Sequence, residues 1–190
     1  MKLTYVKKLV FTAVCAALCL VLPMAFHSIP NAGSIFLPMH IPVLLCGLTC
    51  GWPYGFVCGL LGPFISSFTG MPPAAVLPSM MVECSTYGLV AGLMMHFIRT
   101  RRTVADLYIS MITAMILGRV VAGLAKAWIF TPGTGAFAWV TTSLVTGIPG
   151  IAIQLIVMPI LVVSLTRAKL IPHRYPEKVC HAYRRYHPVF

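Results

Sequence analysis

Long apolar runs, broken by short polar or Pro/Gly-rich stretches, fill most of this chain. The first runs from about Val6 to Ala25, ends near Pro23, and is followed by the polar stretch His27 to Ser34. A second, from about Pro38 to Gly51, is short, and Trp52-Pro53-Tyr54 connects it tightly to a third, about Gly55 to Phe68. Gly70-Met71-Pro72-Pro73 closes the third, and a fourth extends from about Val76 to Ile98. After Arg99-Thr100-Arg101-Arg102 comes a fifth, about Leu107 to Phe130, then the loop Thr131 to Gly135. A sixth covers about Trp139 to Leu165 and is interrupted by Pro149 and Pro159. A membrane-crossing helix needs ~20 residues. The pattern therefore predicts an all-α membrane protein, a bundle of six transmembrane helices over residues 1–170, with a basic tail over 171–190.

Charge orients the bundle. Lys2, Lys7, Lys8, Arg99, Arg101, Arg102, Arg167, Lys169 and the tail fall on one side. The three connections on the other side, near 26–37, 69–75 and 131–138, hold no Lys or Arg. Basic residues are retained in the cytoplasm, so both termini are expected there, which requires an even number of crossings. The first run could pass for a secretory signal; ahead of five further spans it reads as the first helix.

Composition agrees. Charged residues make up 9% of the chain and hydrophobic residues 59%, whereas a soluble domain carries about 25% charged residues. Lipid is the expected solvent. The net charge of +11 does not point to nucleic acid, because the cations flank the apolar runs and form no aromatic-interleaved surface. Six cysteines (Cys15, Cys19, Cys46, Cys50, Cys58, Cys84) lie inside apolar runs, where thiols behave as small hydrophobes. Cys46 and Cys50 are a turn apart, but no further thiol or imidazole stands at ligand spacing beside them. Glycines recur at fourth positions, Gly47 to Gly59 and again Gly88 and Gly92, a spacing that lets helix backbones approach closely.

Ionisable groups at membrane depth are costly and mark function. The charged residues within the expected spans are Glu83, Arg119 and Lys126. At 1.5 Å per residue, Glu83 sits ~10 Å, Lys126 ~7 Å and Arg119 ~18 Å below the outer boundary. Arg119 and Lys126 share a helix face, with Gly123 between them; Tyr87 lies one turn from Glu83, His40 near the outer end of the second span, and Gln154 on a small face of the sixth. Asn31 and Ser34 join them if their loop folds over the site. One reading is an outward-opening pocket with two positive charges and one negative, suited to a carboxylate. The other is a structural strut between Glu83 and Arg119, with Lys126 snorkelling outward. No phosphate-binding loop, His-Glu-x-x-His or Gly-x-Ser-x-Gly is present, and three acidic residues in all leave no room for paired-carboxylate chemistry. The chain is not expected to be an enzyme.

The stretch Phe36 to Leu48, continuing through Gly51-Trp52-Pro53-Tyr54-Gly55 to Gly62-Pro63, with Gly70-Met71-Pro72-Pro73 and Glu83 to Gly92, resembles the substrate-binding S components of energy-coupling factor (ECF) transporters. The likeness extends over roughly residues 5–170. It implies a binder in a bacterial cell membrane that captures a water-soluble vitamin or similar metabolite near the outer surface. It also implies a transmembrane T component as partner and two ATPase subunits that use ATP, with no cofactor on this chain. The family's Ala-x-x-x-Ala docking motif falls on Ala13 and Ala17. A net positive pocket suggests an anion such as pantothenate. Two alternatives stand beside this reading: a self-sufficient secondary transporter, for which no internal repeat speaks, and a ligand-free structural subunit.

Overall fold

A computed structural model describes residues 4–25, 37–70, 72–100, 102–130, 140–142, 145–172 and 174–175. Among them are six α-helices of 11 residues or more and no strand. These are α1 (Tyr5–Ala25), α2 (His40–Cys50), α3 (Trp52–Ser67), α4 (Leu77–Phe97), α5 (Thr103–Ala125) and α6 (Ile148–Arg167). A π-helical turn, Lys126–Phe130, prolongs α5. Each expected span contains one of these helices. Three are long and apolar enough to cross a bilayer: Tyr5–Ala25, Thr103–Trp128 and Ile148–Arg167. At 11 and 16 residues, α2 and α3 are each shorter than the ~20 of a full crossing.

Two boundaries differ from the sequence reading, each for a local reason. Trp52-Pro53-Tyr54 is the first turn of α3, where proline's missing N–H costs nothing. The α2–α3 corner is Gly51 alone, at φ 101° and ψ 173°, a conformation open essentially only to glycine. The sixth run is divided just before Pro149: residues 140–142 and 145–146 are helical, Gly147 is a turn, and Pro149 lies in the opening turn of α6. Pro159, expected to break the run too, lies inside the continuous helix. α5 starts at Thr103 and so takes Asp106 into its first turn, where an acidic side chain suits the helix dipole. Asp106 thus joins the ionisable residues inside the helices.

Successive helices run antiparallel. The α3–α4 contact is the most intimate: a Cβ on Gly88 would overlap the carbonyl of Gly55, one on Gly59 the backbone of Cys84 and Ser85, and one on Gly92 the backbone of Trp52. The glycine series expected from spacing is therefore a backbone-to-backbone seam. α1 lies against α2 and α3 through Cys15 and Cys19, both buried. The six cysteines within the helices are buried free thiols. Tyr87 covers Gly118 of α5, where a Cβ would run into its ring. One end of the bundle gathers Lys8, the Gly51 corner, the end of α4 and the start of α5. The opposite end gathers the starts of α2, α4 and α6.

Candidate functional site

At this second end, polar side chains from α2, α4 and α5 converge below the helix ends. His40 is the first residue of α2 and is 1% exposed. Its Nε2 lies 3.6 Å from Oε1 of Glu83. The hydroxyl of Tyr87, one turn along α4, donates to the same Oε1 at 2.9 Å. The His40 and Tyr87 rings stand with centroids 4.9 Å apart and planes tilted by 57°. Cys84 Sγ lies 4.0 Å from His40 Nε2. Arg119, buried on α5, is near enough for its charge to act on Glu83. Nδ1 of His40 is buried with no hydrogen-bond partner, although a buried polar atom almost always has one.

The approach to His40 is held from two sides. Leu37 adopts a positive φ of 51°. Its carbonyl accepts from Nε2 of Gln154 on α6 at 3.3 Å, and the Met39 carbonyl accepts from Sγ of Cys19 on α1 at 3.7 Å. Gln154 therefore acts on the turn that delivers His40. Lys126 is half-buried in the π-helical turn beyond Arg119. Asn31 and Ser34 lie outside the described residues. Of the anticipated site, the structure brings together His40, Glu83, Tyr87 and Arg119, links Gln154 to them through backbone, and sets Lys126 nearer the bundle end. A cleft of about 280 Å³ opens at the other end, between Lys8, Trp52, His96 and Arg174.

Residues 7–162 match the family model described as ECF transporter, substrate-specific component. The chain belongs to this family. Compared with curated proteins, it matches none. As a substrate-specific component it is a membrane protein that binds a small-molecule substrate and works with the T and ATPase modules of an ECF transporter. Components of this kind are transport and binding proteins. Ala13 and Ala17 are exposed on α1, on the side away from buried Cys15 and Cys19.

Sequence reasoning missed a second polar centre, at the opposite end of the substrate-specific component. Asp106 is fully buried. Its Oδ1 accepts from the Thr100 backbone N–H at 2.9 Å and the Thr100 hydroxyl at 2.6 Å. Its Oδ2 accepts from Tyr175 at 2.6 Å and pairs with Arg174 Nε at 2.8 Å. Arg174 also donates to the Ile98 carbonyl. One signal was legible: Asp106 is one of three acidic residues and stands four positions after Arg102, the last of the Arg99–Arg102 cluster.

Proposed function

We propose that the end of the bundle bearing His40, Glu83, Tyr87 and Arg119 faces outward and forms the floor of the substrate pocket. In this reading the chain crosses the membrane six times with both termini in the cytoplasm. The absence of Lys and Arg from the connections at 26–37, 69–75 and 131–138 supports that orientation. The observation that carries the proposal is the convergence of four buried polar side chains from three helices, with His40 Nδ1 lacking a partner. Burial of such groups in a lipid-embedded bundle is costly unless they serve a ligand or a pathway.

The cargo is a small water-soluble nutrient of the vitamin class, captured for import. Glu83 meets Tyr87 and His40 inside the cluster, and the cations Arg119 and Lys126 outnumber it. That balance favours an anionic ligand, and a carboxylate such as pantothenate is the first candidate. Arg119 and Lys126 provide charge, His40 and Tyr87 hydrogen bonds and ring surface, and Gln154 positions the turn before His40. Asn31 and Ser34 are assigned to the connection above the pocket. Ala13 and Ala17 present a small-residue face of α1 to the T component, whose two ATPase subunits supply the energy.

Mass spectrometry of the protein purified from a native-like host identifies the co-purifying molecule. With that molecule as probe, Arg119→Met and Lys126→Met are each expected to weaken binding about tenfold or more, ~1.4 kcal/mol. Folded variants of unchanged affinity would overturn the pocket. A cluster that serves only as a strut would lower thermal stability in Arg119→Met and leave affinity alone. Ala13→Trp or Ala17→Trp is expected to preserve binding and abolish ATP-dependent uptake. If uptake survives, the docking face lies elsewhere. Uptake by this chain alone, driven by an ion gradient, would replace the whole scheme with a secondary transporter.

A further inference from the structure

The cleft at the basic end of the bundle belongs neither to the polar cluster nor to the α1 docking face. We propose that it binds the phosphate head group of an anionic membrane lipid, with Lys8 and Arg174 on its walls, His96 at its rim, and the acyl chains lying along α3.

The cleft has a volume of about 280 Å³, which suits a head group and is small for a macromolecular contact. Its floor is made by the Gly47–Gly51 corner and Gly92, where the close backbone packing of α2, α3 and α4 leaves little side-chain bulk. Lys8 and Arg174 line the cleft, and no acidic side chain does; the buried Thr49 hydroxyl beside them donates to the Leu45 carbonyl at 2.6 Å. Lys8 is held in place with its ammonium 5.3 Å from the centre of the Tyr54 ring. Arg174 is fixed by Asp106 behind it. His96 is exposed. Basic recesses between transmembrane helices are suited to anionic head groups.

A free phosphate ester offers the same anion, but the surroundings favour lipid. From the cleft rim a stripe of exposed apolar side chains at every fourth position descends α3 and reaches its C-cap, Phe68. Trp52 is 48% exposed, Phe56 39%, Leu60 40%, Phe64 46% and Phe68 78%. Residues at that spacing share one helix face, so a head group seated beside Trp52 places its chains on a continuous apolar track. A soluble ester would have no use for it. Trp52 also has the character of an interfacial anchor, an amphipathic ring at head-group level.

Native mass spectrometry of the detergent-solubilised full chain tests this. Phosphatidylglycerol and phosphatidylcholine of identical acyl composition are added in competition. Preferential retention of phosphatidylglycerol is expected, reduced about fivefold in Lys8→Gln, in line with the contribution of one basic side chain near an anionic surface. Lys7→Gln removes the same charge from the exposed neighbour, which does not line the cleft, and should retain the lipid as the unmodified protein does. His96→Gln, at an exposed position, gives a second reading with little risk to folding, and a smaller loss is expected. Equal retention of the two lipids, or equal losses in Lys7→Gln and Lys8→Gln, would overturn the site. Displacement of the lipid by glycerol phosphate at matching concentration would also overturn it, in favour of a soluble phosphate ester.

Discussion

Tyr87 sits between two demands that no other residue type would meet together. Its hydroxyl serves Glu83 at 2.9 Å, and its ring fills the space that Gly118 leaves open on α5. Tyr87→Phe keeps the ring and removes the donor, so a loss of about 1 kcal/mol is expected, read as a lower unfolding temperature in detergent. Gly118→Ala drives a methyl group into the ring, at a cost of about 1–3 kcal/mol for overpacking. The two sites are in contact, so their effects cannot add. In a Tyr87→Ala background the alanine at 118 meets no ring and should cost little. Additive losses in the four-member cycle would show that ring and glycine do not oppose each other. The identities of His40, Glu83, Tyr87 and Arg119 as candidates were legible because polar groups stand out against an apolar chain. Their partners were not: His40 and Glu83 are 43 positions apart, and their meeting depends on how α2 packs on α4. Gln154 was readable as a polar residue in an apolar span. That its amide donates to the Leu37 carbonyl depends on a turn with positive φ that no periodicity announces.

At the scale of elements, the seam between α3 and α4 shows what spacing reveals and what it leaves open. Glycines at fourth positions mark a face on which backbones approach, and this face is found where the spacing puts it. Which glycine opposes which follows only from the antiparallel pairing of Gly55 with Gly88 and Gly59 with Cys84. The apolar runs located every helix, since Pro and Gly punctuate them. Helix starts were the weaker inference, because proline at the opening turn of α3 resembles a connection until the hydrogen-bonded turn beyond it is seen. The seam makes a sharp prediction. Gly88→Ala sets a Cβ against backbone on α3, and backbone cannot move aside as a flexible side chain would. A loss of at least about 2 kcal/mol is expected, seen as early thermal aggregation of the solubilised protein. Val57→Ala, on the exposed face of the same helix pair, is the matched control and should change little. Equal behaviour of the two variants would mean that the seam can open without cost.

For the molecule as a whole, two polar centres lie at opposite ends and do different work. The His40–Glu83 cluster carries an unmet hydrogen-bonding atom, whereas both oxygens of Asp106 accept from the protein itself. Such saturation marks a fastening, and what it fastens is the segment after α6, where Ile171 is 1% exposed and Arg174 and Tyr175 reach back across the α4–α5 turn. Sequence could not pair Asp106 with Arg174, 68 positions apart, because the pairing depends on α6 returning beside α5. Removing one member of a buried ion pair leaves the other charge uncompensated, at about 3–5 kcal/mol. Asp106→Asn keeps an acceptor for Thr100 and loses the partner of Arg174, so the segment beyond Arg167 should detach before the bundle melts. Limited trypsin digestion in detergent is then expected to cut faster at Lys169 and Arg174, and Arg174→Gln added to Asp106→Asn should recover part of the stability, since no buried charge remains alone. Substrate affinity should not change in either variant, because the fastening lies a bundle length from His40. Equal affinity together with faster digestion would separate the two centres. Lost affinity in Asp106→Asn would show instead that both ends of the helix bundle answer to one conformational equilibrium.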